Sequence, residues 1–391
     1  MTSRIRTAAA TAVLALALPV VAVGAAQAVP SPATVAAPSA QRAALQLTLP
    51  RPTGPYAVGE DVLHLVDVHR QDPWVPSAGP RQLMVSMFYP ARRGTGRPAP
   101  YMDATEAQLL LDQRAPGSGL PAQLLADTRT YAFTDARPDQ GRYPLVVLSP
   151  GFGLPRQTLT ALAVGLTSHG YVVALVDHTY EDSGTTFPDG RTLTCAVCDG
   201  PLDAVTAADS RAKDVSFVLD QLTGPRPAWR HAGLIDARRI GMAGHSLGGM
   251  AAIPVMATDR RVRAGVDLDG AIVAGLPTGD LHHRPFLLLG NPLDHSVGGG
   301  EGSWSDAWPQ LDGWKRWLTV TGATHLNFTD LPLLGDEVGY PTPGAQISGA
   351  RSTAVTLAYV AAFFDLQLKG VPQPLFDGPS AAYPEVVFQK K

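Results

Sequence analysis

The chain has 391 residues, 45% of them hydrophobic and 17% charged, and 31 Lys and Arg against 34 Asp and Glu give a formal net charge of −3. Its 39 glycines and 35 prolines together stay below the proportion typical of a disordered chain. The near-neutral charge argues against nucleic acid as the main partner, because phosphate backbones are bound by basic surfaces.

The N-terminal residues carry the pattern of a secretion signal. Arg4 and Arg6 precede a run rich in Ala, Val and Leu, and Ala26-Gln27-Ala28 forms a small-residue cleavage pattern. We therefore expect a signal peptide over residues 1–28 and a secreted, extracellular protein, with an uncleaved membrane anchor as the alternative. Residues 29–50 are rich in Pro, Ala and Ser and are expected to form a flexible leader.

Residues 51–391 alternate short apolar runs with longer helical patterns, which predicts one α/β catalytic domain. Such alternation is typical of βαβ units on a mostly parallel central sheet with helices on both faces. The predicted strands are 62–68 and 82–89, antiparallel at one edge, then 145–148, 171–176, 240–243, 262–268, 286–289 and 318–320. The predicted helices are 158–168, 203–221, 247–256 and 353–368.

Residues 100–140 interrupt this alternation. Only 104–113 has a helical pattern there, and the rest is punctuated by Pro and Gly. The segment is predicted to be an insertion, which either covers a functional site or packs on the edge of the sheet.

The two cysteines, Cys195 and Cys198, form a C-x-x-C pair that follows a turn sequence. In an oxidising compartment such a pair can close a tight disulfide, and we expect one that staples a surface loop. A structural zinc site needs four ligands and no second C-x-x-C exists, so no metal site is expected.

Gly244-His245-Ser246-Leu247-Gly248 matches the pattern G-x-S-x-G between a predicted strand and a predicted helix. Small residues two before and two after the serine let the chain cross itself at a sharp turn, so that the hydroxyl projects above the sheet. The following helix directs its positive N-terminal end to the same place. We predict that Ser246 is a catalytic nucleophile; a glycine-rich turn with Ser246 as a helix N-cap is the alternative.

A serine nucleophile needs a base, and in folds with this motif the chain order is Ser, acid, His. Four histidines lie far enough beyond the serine: His282, His283, His295 and His325. His325 directly follows the predicted strand 318–320, where a base could reach Ser246, and it is the predicted base. The pair at 282 and 283 precedes a strand and should lie at the opposite end of the sheet.

Two carboxylates are candidates for the acid that orients the base. Asp269 follows the predicted strand 262–268, and Asp294 follows the predicted strand 286–289. Both strand ends can supply the acid in such folds, and the second is the commoner location. Asp267 faces the same side of the pleat as Asp269 and is a helper or a structural residue.

Four blocks of the chain carry a resemblance. They are P-L-V-V-L-S-P-G-F-G-L-P-R at 144–156, G-H-S-L-G-G at 244–249, V-D-L-D-G at 266–270 and G-A-T-H-L-N-F-T-D at 322–330. Together they resemble the platelet-activating-factor acetylhydrolase family of secreted α/β-hydrolases, in motif order over roughly residues 55–370. In that family the acid follows the strand after the nucleophile helix, which implies Asp269 rather than Asp294. The chain departs from the family at Pro150, where a His is usual, and at Leu326, where a polar residue is usual.

An oxyanion hole needs preorganised N–H donors beside the nucleophile. One would be the backbone N–H of Leu247, directly after Ser246. The other would come from the loop after strand 145–148, and the family match implies Phe152, between Gly151 and Gly153.

These residues predict a serine ester hydrolase that works through an acyl-enzyme and needs no metal or organic cofactor. The resemblance implies short-acyl phospholipid esters such as 1-alkyl-2-acetylglycerophosphocholine. A broad carboxylesterase, lipase or polyester hydrolase would use the same residues, and a non-catalytic lipid- or partner-binding member of the fold is the remote alternative. The expected partner is a small ester or lipid, with transient contact to a lipid surface, and not nucleic acid; the oligomeric state stays open.

Four of the six tryptophans, at 304, 308, 314 and 317, are spaced by three or four residues within each pair. This spacing favours packing on a helix face over a lipid-facing surface.

Overall fold

A β-sheet of eleven strands organises the part of the chain that the computed structural model describes, residues 45–390. The predicted signal peptide (1–28) and the first part of the predicted leader (29–44) lie outside the described residues. The strands are β1 (Ala57–Gln71), β2 (Pro80–Ala91), β3 (Arg97–Pro98), β4 (Ala132–Thr134), β5 (Tyr143–Ser149), β6 (Val172–Val176), β7 (Thr185–Thr186), β8 (Thr192–Leu193), β9 (Ile235–His245), β10 (Val262–Leu268), β11 (Phe286–Gly290), β12 (Lys315–Val320) and β13 (Val386–Lys390).

The sheet has the order β13-β12-β11-β10-β9-β5-β6-β2-β1-β4-β3, and β7 and β8 pair separately. The six central strands, β12, β11, β10, β9, β5 and β6, are parallel to one another. β2 and β1 are antiparallel neighbours at one side, as predicted, and β13 adds an unpredicted antiparallel strand at the other edge. The predicted mostly parallel sheet is confirmed.

Helices cover both faces of this sheet. They are α1 (Ala104–Arg114), α2 (Ala122–Ala126), α3 (Thr160–Ser168), α4 (Ala204–Thr223), α5 (Leu247–Met250), α6 (Ala252–Thr258), α7 (Pro292–His295), α8 (Ser303–Ala307), α9 (Leu331–Glu337) and α10 (Gly349–Lys369). Leu145 and Val147 pack in the core with α4 and α6, whereas Val146 and Leu148 pack in the core with α3 and α10. β5 therefore reads as a continuous apolar run because it is buried on both faces. Within residues 45–390, no helix combines the length and the apolar character needed to cross a bilayer.

The segment 100–140 contributes α1, α2 and the short strand β4, which pairs with β1. α1 begins at Asp103 with a capping box that Glu106 completes. The apolar sides of α1 and α2 pack in a small third core that also contains Leu47 and Leu49, so the packed part of the chain starts before residue 51.

Cys195 and Cys198 form a disulfide in the loop between β8 and α4. Both cysteines are partly buried and exposed residues flank them, so the bond lies in a surface loop, as predicted.

The helical arrangement predicted for the four tryptophans is wrong for two of them. Trp317 lies in β12 and Trp314 in the turn before it, while Trp304 and Trp308 occupy α8 and the turn after it. Trp304 and Trp317 are fully buried against each other, so the cluster is part of the core.

Candidate active site

Ser246 lies on the turn between β9 and α5 with a φ of 55° and a ψ of −122°. This backbone conformation is strained for a residue other than glycine and persists only where the surroundings enforce it. The crossing needs its glycines: a Cβ on Gly244 would stand 2.2 Å from the Gly248 carbonyl carbon, and one on Gly248 would stand 2.0 Å from the Ser149 oxygen. The Ser246 N–H donates to Leu268 O at 2.8 Å, which ties the turn to the end of β10.

His325 begins the 3₁₀ turn His325–Phe328 after β12 and reaches the serine, with 3.0 Å between its Nε2 and Ser246 Oγ. Thr324 and Asn327 form a capping box that holds this turn. His245 supports it from below: its Nε2 lies 2.8 Å from the His325 carbonyl oxygen, and the two rings are 4.6 Å apart. Burial, and to a smaller extent the neighbouring His325, lower the pKa of His245 to about 3. His245 is therefore neutral and supports the His325 turn structurally.

Asp269 is buried at the end of β10, and its Oδ2 accepts a hydrogen bond from His325 Nδ1 at 2.7 Å. The Asn291 amide donates to both carboxylate oxygens, at 3.0 and 2.9 Å, and its backbone N–H donates to Oδ1. Burial alone would raise the pKa of Asp269, but the hydrogen bond from His325 and the charge of His295 outweigh it and lower the pKa. The carboxylate is therefore ionised at neutral pH, as a partner for an imidazolium must be.

Asp294 lies one hydrogen bond further from His325 than Asp269 does. Its Oδ2 accepts from Asn291 Nδ2 at 2.9 Å, and within residues 45–390 it has no hydrogen bond to His325. The structure thus brings Ser246, His325 and Asp269 together and leaves Asp294 outside that chain of contacts. Asp267 is buried below, accepts from Gly270 N at 2.8 Å, and has its pKa raised well above the usual value by burial.

His295, another candidate base, is buried behind Asp269 and not beside Ser246. Its Nε2 lies 3.7 Å from Asp269 Oδ1, and its ring stacks on Trp304 at 4.0 Å between centroids. The indole N–H of Trp317 donates to the His295 carbonyl oxygen at 2.6 Å. His282 and His283 are exposed before β11, at the opposite end of the sheet.

The loop after β5 passes directly against Ser246. A Cβ on Gly151 would stand 3.3 Å from Ser246 Cβ. The backbone N–H groups of Phe152 and Leu247 have no acceptor within residues 45–390, whereas Gly153 N donates to Glu181 O at 2.8 Å. Two uncommitted donors beside a serine hydroxyl are what an oxyanion hole requires.

A buried ionic network that sequence reasoning missed holds this loop. Arg211 of α4 donates to the Pro150 carbonyl oxygen, to Ser149 Oγ at 3.2 Å, and to Glu181 Oε2 at 2.8 Å. His178, which lies at 1% exposure between Ser149 Oγ and Asp214 Oδ2, completes the contact with the same helix. Burial and Arg211 lower the pKa of His178, so its role in this site is structural.

An apolar groove, open to solvent, extends to Leu326, the residue that follows His325. Leu110, Leu111 and Leu124 of the 100–140 segment form one wall. Leu326 lines another side of the groove with residues of α9. The insertion therefore lines a groove at the site, and Leu326 supplies an apolar surface where the resembling family has a polar side chain.

Comparisons with known proteins agree with this architecture. The sequence model of the family described as platelet-activating factor acetylhydrolase, isoform II, matches residues 42–189. A probable 1-alkyl-2-acetylglycerophosphocholine esterase from Arthroderma benhamiae is 31% identical over 87% of this chain and 93% of its own length.

Two further similarities point to ester hydrolysis. A solved structure described as a ferulic acid esterase from Streptomyces cinnamoneus has a TM-score of 0.79 and 46% identity, covering 88% of this chain and 99% of that one. A bis(hydroxyethyl) terephthalate hydrolase from Streptomyces coelicolor is 33% identical, over 28% of this chain and 27% of its own length.

Proposed function

We propose that this chain works as a secreted serine esterase through an acyl-enzyme, because it is an ester hydrolase with the α/β-hydrolase fold and belongs to the platelet-activating factor acetylhydrolase family. Ser246 is the nucleophile, His325 the base and Asp269 the acid. The observation that carries the proposal is the unbroken hydrogen-bonded chain from Ser246 Oγ through His325 to Asp269.

His325 Nε2 takes the proton of Ser246 Oγ as that oxygen attacks the ester carbonyl carbon. The imidazolium that forms is stabilised by the Asp269 carboxylate, and it returns the proton to the leaving alcohol oxygen. Water then adds to the acyl-enzyme with His325 again as base, which releases the carboxylic acid and restores the serine.

The backbone N–H groups of Phe152 and Leu247 donate hydrogen bonds to the negatively charged oxygen of the tetrahedral intermediate and stabilise it. Each such donor contributes about 3 kcal/mol to lowering the barrier when it is preorganised. The absence of other acceptors for these two groups within residues 45–390 supports that role.

For the substrate, the similarities favour a carboxylic ester with an apolar or aromatic acyl group. The solved relative at 46% identity is described as a ferulic acid esterase, and the groove that reaches Leu326 offers an apolar surface to such an acyl group. Short-acyl phospholipid esters, which the name of the Arthroderma benhamiae relative suggests, are the second candidate.

Labelling with a fluorophosphonate probe tests the nucleophile. The purified protein should take up one label at Ser246, and Ser246→Ala should take up none while remaining folded; an unlabelled wild-type chain would contradict the proposal. Turnover of methyl ferulate, a 2-acetyl phospholipid and a p-nitrophenyl ester series then ranks the substrate classes. A preference for the phospholipid above all others would favour the second candidate.

Secretion is proposed from the N-terminal pattern alone. Expression of the full chain in a bacterial host that secretes proteins should release a mature form that begins at Val29, as mass spectrometry of the culture supernatant can determine. Retention of the intact N-terminus in the membrane fraction would favour the anchor instead.

A further inference from the structure

Two polar side chains at the end of α1, Gln113 and Arg114, face the loop that carries the proposed oxyanion donor. A Cβ built on Gly153 would lie 2.9 Å from Gln113 Nε2 and 3.3 Å from Arg114 Nη2. Gly153 directly follows Phe152. Adding one C–C bond and the spacing of consecutive Cα atoms therefore places the guanidinium within about 9 Å of Phe152 Cα.

Neither side chain is engaged elsewhere. Within residues 45–390, the side chains of Gln113 and Arg114 make no hydrogen bond, and no carboxylate lies within 4 Å of the Arg114 guanidinium. The nearest acid along the helix, Asp112, accepts from Gln108 on another side of α1. Arg114 thus has no carboxylate partner among the described residues, and its side chain lines the apolar groove.

Its electrostatic influence reaches the reaction centre. Partial burial against the groove lowers the pKa of Arg114, since desolvation disfavours the charged form. The positive charge of Arg114 is also among the causes that lower the pKa of His245, the residue that precedes Ser246. An unpaired cation in this position favours negative charge close to the scissile ester.

We propose that Arg114 and Gln113 form an anion-binding subsite, which selects esters that carry a phosphodiester or a carboxylate close to the scissile carbonyl. The inference rests on the proposed function of Ser246 and specifies its substrate class. The guanidinium supplies charge-assisted hydrogen bonds to two anion oxygens, and the Gln113 amide donates a third.

Substrate dimensions fit this arrangement. About five bonds separate the 2-acyl carbonyl carbon of a glycerophospholipid from its phosphorus, a span of ~6 Å when extended. The two carbonyl carbons of a benzene-1,4-dicarboxylic half-ester are ~6 Å apart as well. Either anion can therefore contact Arg114 while the ester carbonyl lies at Phe152 N and Leu247 N, with apolar parts of the molecule in the groove.

The test compares esters that carry the anionic group with uncharged partners that lack it. One pair is 1-alkyl-2-acetylglycerophosphocholine, with a short alkyl chain to keep it monomeric, against 1-alkyl-2-acetylglycerol. The other is the monomethyl ester of benzene-1,4-dicarboxylic acid against its neutral monoamide. Each is measured with wild type, Arg114→Gln, Arg114→Lys and, as a matched control, Arg142→Gln, which removes an exposed arginine at the amino end of β5.

Arg114→Gln should lower kcat/KM for a charged ester by about 10- to 100-fold, chiefly through KM, and lower it far less for the neutral partner. Arg114→Lys should retain part of the preference, and high salt should weaken it in the wild type. If Arg114→Gln removes the preference for the charged ester in only one of the two pairs, the result supports the subsite and identifies the anion that it binds. If the preference is lost in both pairs, the subsite binds both kinds of anion.

Equal losses on charged and neutral esters, or an equal effect of Arg142→Gln, would overturn the subsite. In that case the wild type still hydrolyses esters and labels at Ser246. A wild type that neither labels nor turns over any of the four esters would instead overturn the proposed function.

Discussion

The Arg211 guanidinium donates a hydrogen bond to the carbonyl oxygen of Pro150, and this contact joins α4 to the loop beside Ser246. The same loop contains Phe152, the proposed oxyanion donor, and it is held from its other side by Gly153 N on Glu181 O. Because Glu181 also accepts from Arg211, one buried ion pair fixes both ends of the loop. Preorganisation of this kind is what makes an oxyanion hole effective.

Arg211→Met should therefore reduce kcat by about 10²-fold with a smaller change in KM, since the donor moves away from the developing charge. It should also destabilise the fold by about 3 kcal/mol, because Glu181 is left buried without this partner. Arg211→Lys keeps the charge and should recover part of kcat. Steady-state kinetics and urea unfolding measure the two effects.

Arg261→Met is the matched control for this experiment. It breaks contacts with the buried Asp259 and the exposed Asp220, away from the loop. A stability loss with kcat retained is expected there. If Arg211→Met showed only that same pattern, the ion pair would serve the fold and not the loop.

The parts of the site that the sequence predicts are those that follow the ends of strands. Ser246 and Asp269 come directly after β9 and β10, and His325 lies in the first turn after β12; parallel strands bring their carboxyl ends to one edge of the sheet. This topology places the three residues side by side at that edge, and their side chains therefore form a hydrogen-bonded chain. Asn291, which contacts both candidate acids, could have been found by the same rule, since it follows β11.

The network around Arg211 has no such local pattern. Its members come from β2, the loop after β6, and α4, and a buried ion pair between distant segments leaves no periodicity in the sequence. The strand β13 was missed because it is short and ends in polar residues, so its apolar run is too brief to predict a strand. The tryptophan spacing predicted a helix face wrongly for Trp314 and Trp317, because intervals of three and four residues occur across turns as well as along helices.

Asp269→Asn should lower kcat by about 10⁴-fold, because the amide can no longer stabilise an imidazolium and favours the wrong tautomer of His325. Asp294→Asn should change kcat by less than about threefold, since its hydrogen bond goes to Asn291 and not to the base. The measurement is kcat for a p-nitrophenyl ester, with circular dichroism to verify folding. The reverse ranking of the two variants would identify Asp294 as the acid.

Leu326→Asn should weaken the binding of apolar acyl groups. Leu326 lines the groove beside the base, and contact with a bulky acyl group there contributes about 1–2 kcal/mol. kcat/KM should fall by about tenfold for butyl and aromatic esters and by less for acetyl esters. Val371→Asn, at an exposed valine outside the groove, is the control. A uniform loss across the ester series would mean that the substitution displaces His325 rather than the substrate.

Glu60 gives the fold a pH dependence near neutrality. Its side chain lies close to Ser86 and Arg156, and burial raises its pKa to about 7 despite the opposing charge of Arg156. As the pH rises from about 4.5 to 7, the unfolded chain ionises first, so this glutamate makes a growing unfavourable contribution to folding. Glu60→Gln should thus gain stability relative to wild type across that range, by at most about 3 kcal/mol, with the difference constant below pH 4.5 and above pH 7. Urea unfolding at several pH values measures the difference, and a gap between the two proteins that does not change with pH would show that Glu60 ionises normally in the folded state.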